Sequence, residues 1–200
     1  YELNEIPKRI IDFYISKKPN SAFSKVSKDG LFLETFTKDD GELHPWSTWP
    51  TVHRGVYNST HEIRFINQDL SSSKKYKPIW EILSDKGIEI GVFGSLQSYP
   101  PLKGENVSFF LPDSFAPKAD AYPEKLALFQ EFNLGMVKSN KAIARPIKMQ
   151  QIKNFISLLN SGIITFNSSK IALIHLLKEL INKKYKTRKS MIQNIFSFDI

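Results

Sequence analysis

The 200-residue sequence contains no cysteine. That excludes a disulfide framework, thiolate catalysis and zinc sites built on sulfur, and it fits a reducing compartment. The chain also lacks any run of the ~18 consecutive apolar residues that argue for a membrane span. It has no internal repeat and no low-complexity tract. Histidine is scarce, with four in all, and no Asp-His dipeptide occurs anywhere. Acid is nearly missing from one region: between Lys138 and Lys189 stand ten Lys and two Arg against Glu179 alone, a net +11. The whole-chain charge of +8 then leaves the remainder near −3. One region is basic and the rest is nearly balanced. There is no initiator Met and no signal peptide at the start. YELNEIP reads as the end of a strand already under way, and FSFDI closes on an apolar run. Both ends are therefore expected to be cut points in a longer protein.

What is present suits a globular α/β chain. Tyr1 to Leu3 reads as a strand end. Pro7 fits the first turn of a helix whose apolar side is Ile10, Ile11, Phe13, Tyr14 and Ile15. Asn20-Ser21 caps a second short helix through Val26, stopped by Gly30. LFLETFT, residues 31–37, alternates as a strand does. Ser47 to Gly55 fits a helix that ends on glycine; with Pro50 in its first turn, it would begin a few residues late. A Ser/Lys loop over 67–76 precedes a helical stripe of Ile79, Trp80, Ile82 and Leu83 that ends at Gly87. IEIGVFG (88–94) and VSFFLP (107–112) read as strands. The helix–Gly–strand succession is the unit of a parallel α/β sheet. A loop-rich segment with a short helix over Glu124 to Phe132 follows. From about residue 146 onward the pattern is helical, with Ser168 or Ser169 as the cap of the last long helix. The expected architecture is a mostly parallel sheet flanked by helices over 1–135 and a basic helical cap or insertion over 136–200.

The densest chemistry lies in HPWSTWPTVHRG, residues 44–55, with two Trp, three hydroxyl side chains, two His and one Arg. It follows ELNE, a strand tip carrying a carboxylate and an amide, and it precedes YNSTHEI and PIWEILSDKGIEIGVFGSLQSYPP. In that order these stretches resemble the alkaline-phosphatase superfamily, in its phosphodiesterase and nucleotide-pyrophosphatase-like, sulfatase-like branch, over roughly residues 1–112. The resemblance implies a hydrolase or transferase of phospho- or sulfo-esters. Two divalent metals (Zn, or Mn, Mg or Ca) would hold the ester while a hydroxyl at a helix start attacks in line. The helix N-terminus would favour the anionic group further. Counting back from Gly55 with the family spacing lands on Pro45, which has no hydroxyl, so Ser47 or Thr48 is the candidate nucleophile. The first metal ligand falls on Glu5 or Asn4. His44, Trp46 and Arg54 are the candidate substrate contacts. The family's later Asp-His pair and His have no counterpart here, since the only His after His61 is His175, inside an apolar stripe. This polypeptide alone is therefore expected not to assemble a two-metal site and to be inactive.

Each feature has a plainer reading. His44, His53 and His61, spaced by nine and eight residues, match no standard zinc spacing and read as satisfied structural histidines. Trp46 and Trp49 either wall a substrate pocket or pack the helix on the sheet. Ser47 and Thr48 equally suit helix capping, and Asp113 a turn. The basic stretch with NKKYKTRK reads as a solvated face of a cap domain, or else as a contact with an anionic membrane surface. Nucleic acid is disfavoured because no binding motif accompanies the charge. The substrate would be a small-molecule, glycan or lipid ester, and the location cytoplasmic, with membrane association as a further option. The rival function is a non-catalytic binding or scaffold protein on the same fold, engaging an anionic partner or a membrane surface.

Overall fold

The computed structural model of the chain describes residues 2, 6–31, 33, 35–66, 68–71, 74–138, 149–181, 195–197, 199 and 200. Tyr1 and Leu3 of the expected strand end, the candidate ligands Asn4 and Glu5, and NKKYKTRK (182–189) lie outside them.

The first two helices form where the local signals place them. Pro7, extended at φ −71°, stands at the N-cap of α1 (Lys8–Lys17). Ser21 caps α2 (Ala22–Asp29) by accepting the Ser24 N–H at 3.2 Å. The Gly30 N–H closes α2 on Val26 O at 2.9 Å. Tyr14 and Phe23 join the two helices edge to face, 6.2 Å apart. The strand expected at 31–37 is not formed by its described residues: Leu31, Leu33 and Phe36 are exposed and pair with nothing in a ladder. Phe32 and Glu34 lie outside the described residues. Alternation makes a strand only where a neighbouring edge supplies hydrogen bonds, and no such edge stands beside this segment among the described residues.

Helix α3 (Pro45–Arg54) begins two residues before Ser47, and Pro50 lies in its interior rather than its first turn. The reason is Pro45, whose fixed φ suits the first helical position. After α3 come a single turn, α4 (Asn58–His61), and α5 (Ile79–Asp85). Strand β1 (Ile90–Phe93) then pairs in parallel with β2 (Val107–Leu111), in the register Ile90↔Val107 and Val92↔Phe110, with an irregularity between Ile90 and Gly91. The α5–Gly87–β1 unit thus appears as the sequence implies. The chain is mixed α/β with a two-stranded parallel sheet among the described residues. Gly91 has a packing reason: a Cβ there would lie 2.7 Å from Phe109 Cζ, inside the ring's contact distance.

Two apolar clusters meet at the sheet. Ile90, Val92, Val107 and Phe110 bury against Trp80 of α5. On the other side Leu111 joins Phe129 and Phe132 of α6 (Ala127–Lys138), with Leu158 of α7 (Met149–Asn160), Ala172 of α8 (Phe166–Ile181) and Phe196. The C-terminal helices therefore share one apolar cluster with β2. α6 is longer than the short helix read from sequence, and a 3-10 turn, Glu124–Leu126, leads into it. The cap of α8 is Thr165, not Ser168 or Ser169: its hydroxyl accepts the Ser168 N–H at 3.2 Å, while Asp199 accepts the Thr165 N–H at 2.8 Å.

Candidate functional site

Helix α3 organises the chemistry-bearing residues, and its first turn sets their state. His44 stands at the N-cap with no side-chain cap bond, and its carbonyl takes up the N–H groups of Ser47 (2.9 Å) and Thr48 (3.0 Å). Both hydroxyls turn back to the same carbonyl, each at 3.1 Å. Ser47 is buried, whereas Thr48 is partly open. Because the helix starts at Pro45, the N–H groups beside these hydroxyls are already spent inside the helix. The exposed His44 ring meets Glu42 at 3.0 Å.

Pro50 has no N–H to return to the Trp46 carbonyl. That carbonyl is met instead by Gln97 Nε2 at 3.5 Å, and the same nitrogen donates to Phe65 O at 2.7 Å. Gln97 belongs to the turn after β1, and its own N–H donates to Asp113 Oδ2 at 3.0 Å. Asp113, just past β2, also accepts the Phe115 N–H at 2.7 Å, which is the turn role expected of it. Burial raises the Asp113 pKa, and the backbone N–H groups of Phe115, Gln97 and Ser98 act against that rise. Trp46 packs edge to face on Phe115 at 5.5 Å. The carboxyl ends of both parallel strands and the first turn of α3 are thereby tied together, in the position where open α/β sheets bind ligands.

Arg54 does not join that group. It ends α3, about 15 Å along the axis from His44, and donates from Nη1 to Tyr76 O at 2.7 Å. Burial lowers its pKa, and Glu81 works in the opposite direction. Gly55 follows in the left-handed region at φ 66° and stops the helix.

Two further clusters hang on the same helix, around His53 and His61, whose partners the sequence does not name. In one, buried His53 faces Glu2 Oε1 at 2.8 Å, and the Ser95 hydroxyl donates to the Glu2 carboxylate at 3.0 Å. Ser95 Oγ also lies 3.2 Å from the same ring nitrogen, Nε2. The Trp49 ring stacks on His53 of its own helix at 5.7 Å, and Trp80 of α5 tilts against His53 at 4.9 Å. Burial lowers the His53 pKa, against an upward pull from Glu2. Serine and carboxylate share one ring nitrogen, so this is no relay in which an acid orients the far side of the ring. In the other cluster His61 Nδ1 accepts the Ile63 N–H at 3.0 Å, which leaves the proton of the neutral ring on Nε2. Nε2 meets Thr51 Oγ1 at 2.9 Å, and that hydroxyl donates to Asp39 Oδ2 at 2.7 Å. Asp39 Oδ1 accepts the Asn58 N–H at the start of α4. Burial lowers the His61 pKa, with Asp39 pulling it up. His61 is a satisfied structural histidine, as the sequence reading has it, and the Asp39 loop is clamped to α3 and α4.

Among the described residues no group of three or more His, Asp or Glu side chains is placed to hold a metal ion. The residues described therefore do not by themselves fit a two-metal centre. No protein-family model, no curated protein and no solved structure matches the chain.

Proposed function

We propose that this chain forms part of a metal-dependent phospho- or sulfo-ester hydrolase or transferase of the alkaline-phosphatase superfamily, acting on a small-molecule, glycan or lipid ester. One observation carries the reading. The hydroxyl-bearing first turn of α3 meets the carboxyl ends of β1 and β2 through Gln97, Asp113 and the Trp46–Phe115 contact. Of the two candidate hydroxyls, Thr48 is partly open and Ser47 buried, so the attack is assigned to Thr48, with Ser47 holding the turn. To act, the Thr48 hydroxyl must leave the His44 carbonyl. His44 and Trp46 stand beside it as substrate contacts. Divalent ions would supply charge for the ester oxygens, and their ligands, Glu5 or Asn4 among them, belong to residues outside those described.

The rival reading, a non-catalytic binding protein for an anionic partner, is favoured by a different observation. Both hydroxyls are committed to one backbone carbonyl, and proline stands where the family spacing puts the nucleophile. Ester turnover decides between them. The longest natural form of the protein is assayed on aryl phosphodiesters and aryl sulfates with Zn²⁺, Mn²⁺, Mg²⁺ or Ca²⁺, beside its Ser47→Ala/Thr48→Ala double variant. Metal-dependent turnover that the variant loses is expected. Absence of turnover with every metal favours the binding protein, and turnover unchanged in the variant removes Ser47 and Thr48 as the attacking groups. Residues 1–200 alone are expected to show none.

A further inference from the structure

We propose that the exposed apolar faces of α1 and α2 form a docking surface for an anionic lipid bilayer. Helix α1 has no buried residue. Its inward residues Ile11 and Ile15 are half-buried, yet Ile10, Phe13 and Tyr14 stand 50%, 61% and 46% exposed. Those three and Lys17 follow the i, i+3, i+4, i+7 spacing of a single helical stripe, so α1 carries a second apolar face pointing outward. α2 continues it with Val26 at 71% exposure, and the chain beyond with Leu31 at 85%. Phe23, Val26, Ser27, Gly30 and Leu31 line a shallow apolar pocket between them. Scattered exposed hydrophobes need no account, but a contiguous patch of this kind marks an interaction surface.

Charge selects the occupant. Residues 6–31 carry six Lys and Arg side chains against two Asp, a net +4, in a part of the chain outside the basic stretch 138–189. Lys8 is paired with Asp12 at 2.7 Å. Lys17 lies over the Phe13 ring at 5.7 Å, its cation at the rim of the apolar stripe. Exposed aliphatic and aromatic side chains on helices with an excess of lysine, one of them at the edge of the apolar stripe, are what a segment lying in the headgroup region of anionic lipid presents. An apolar protein groove would be matched by the hydrophobes but gains nothing from the excess cations. The ten residues of α1 are half the length that a bilayer span requires, so the contact is with the membrane surface. This reading stands apart from the ester chemistry, which resides at α3.

Vesicle co-sedimentation of the 200-residue chain tests it, with phosphatidylcholine vesicles and vesicles of equal parts phosphatidylcholine and phosphatidylglycerol. Binding to the anionic vesicles should be about tenfold tighter or more and should weaken as salt is raised. Phe13→Ser with Ile10→Ser should abolish it, and Lys17→Glu with Lys25→Glu should abolish the preference for phosphatidylglycerol, both with an unchanged circular dichroism spectrum. No binding to either vesicle, equal binding to both, or binding that survives both variants overturns the proposal. So does a dimer in light scattering that Phe13→Ser dissolves without any vesicle binding, since the face would then be a self-interface.

Discussion

Thr51→Val tests the reading of α3 as a structurally clamped helix. The substitution keeps the branch at Cβ and nearly keeps the volume, while deleting the one oxygen that joins His61 to Asp39. His61 is fully buried. With Nδ1 occupied by the Ile63 N–H, its Nε2–H has Thr51 Oγ1 as its acceptor at 2.9 Å. Leaving that donor unpaired costs about 1–3 kcal/mol. The second lost bond, to the Asp39 carboxylate, is worth roughly 1 kcal/mol, because Asp39 is half-buried, water can replace the hydroxyl, and the Asn58 N–H remains. The expected destabilisation is therefore about 3 kcal/mol. Thr51→Ser keeps the oxygen and loses one methyl group, for about 1 kcal/mol or less. Urea unfolding followed by circular dichroism at pH 7.5 measures both. A Thr51→Val protein as stable as the parent, or a serine variant as damaged as the valine one, would refute the clamp.

The remaining expectations concern protons and packing. His53 and His61 both have folded pKa values lowered first by burial, so above about pH 6.5 neither is charged in either state and their contribution is complete. Below that value the unfolded chain takes up protons that the folded chain refuses, and stability should fall by up to about 1.4 kcal/mol per pH unit for each ring. Urea midpoints that stay flat from pH 7.5 to 5.5 contradict this. Asp113, raised by burial, acts in the opposite sense on the acid side, so Asp113→Asn should steepen the fall; an unchanged slope argues against its role. Gly91→Ala should destabilise by about 1–3 kcal/mol through overpacking on the Phe109 ring, and Phe109→Leu should relieve most of that in the double variant. Additive losses would show that the ring is not the obstacle.

Much of the architecture was legible because it is local. Pro7, Ser21, Gly55 and Gly87 act within one turn of the helices they start or stop, and the α5–Gly87–β1 unit announces its own period change. The segment 31–37 shows where this ends. Its alternation records a preference that only a neighbouring edge can turn into a strand, and Leu31, Leu33 and Phe36 are left exposed. Pro50 misled for a related reason. A proline inside a helix orphans one carbonyl, and whether that is tolerable depends on a donor 51 positions away, Gln97.

The same distinction governs the site. Hydroxyls at a helix mouth form one sequence pattern whether they face a ligand or fold back on the backbone. What separates the two is whether the helix starts at Pro45 or later, since a start at Pro45 makes the His44 carbonyl the common acceptor for both N–H groups and both hydroxyls. ELNE likewise signalled a carboxylate at a strand tip. Yet the described member of that tetrapeptide with a visible partner is Glu2, held by His53 and Ser95 from 51 and 93 positions away. No periodicity encodes such a pairing, because it joins residues of segments far apart in the sequence. Chemistry at α3 therefore requires that these side-chain bonds be broken first, and in the proposed function it is the partly open Thr48, not the buried Ser47, that leaves the His44 carbonyl.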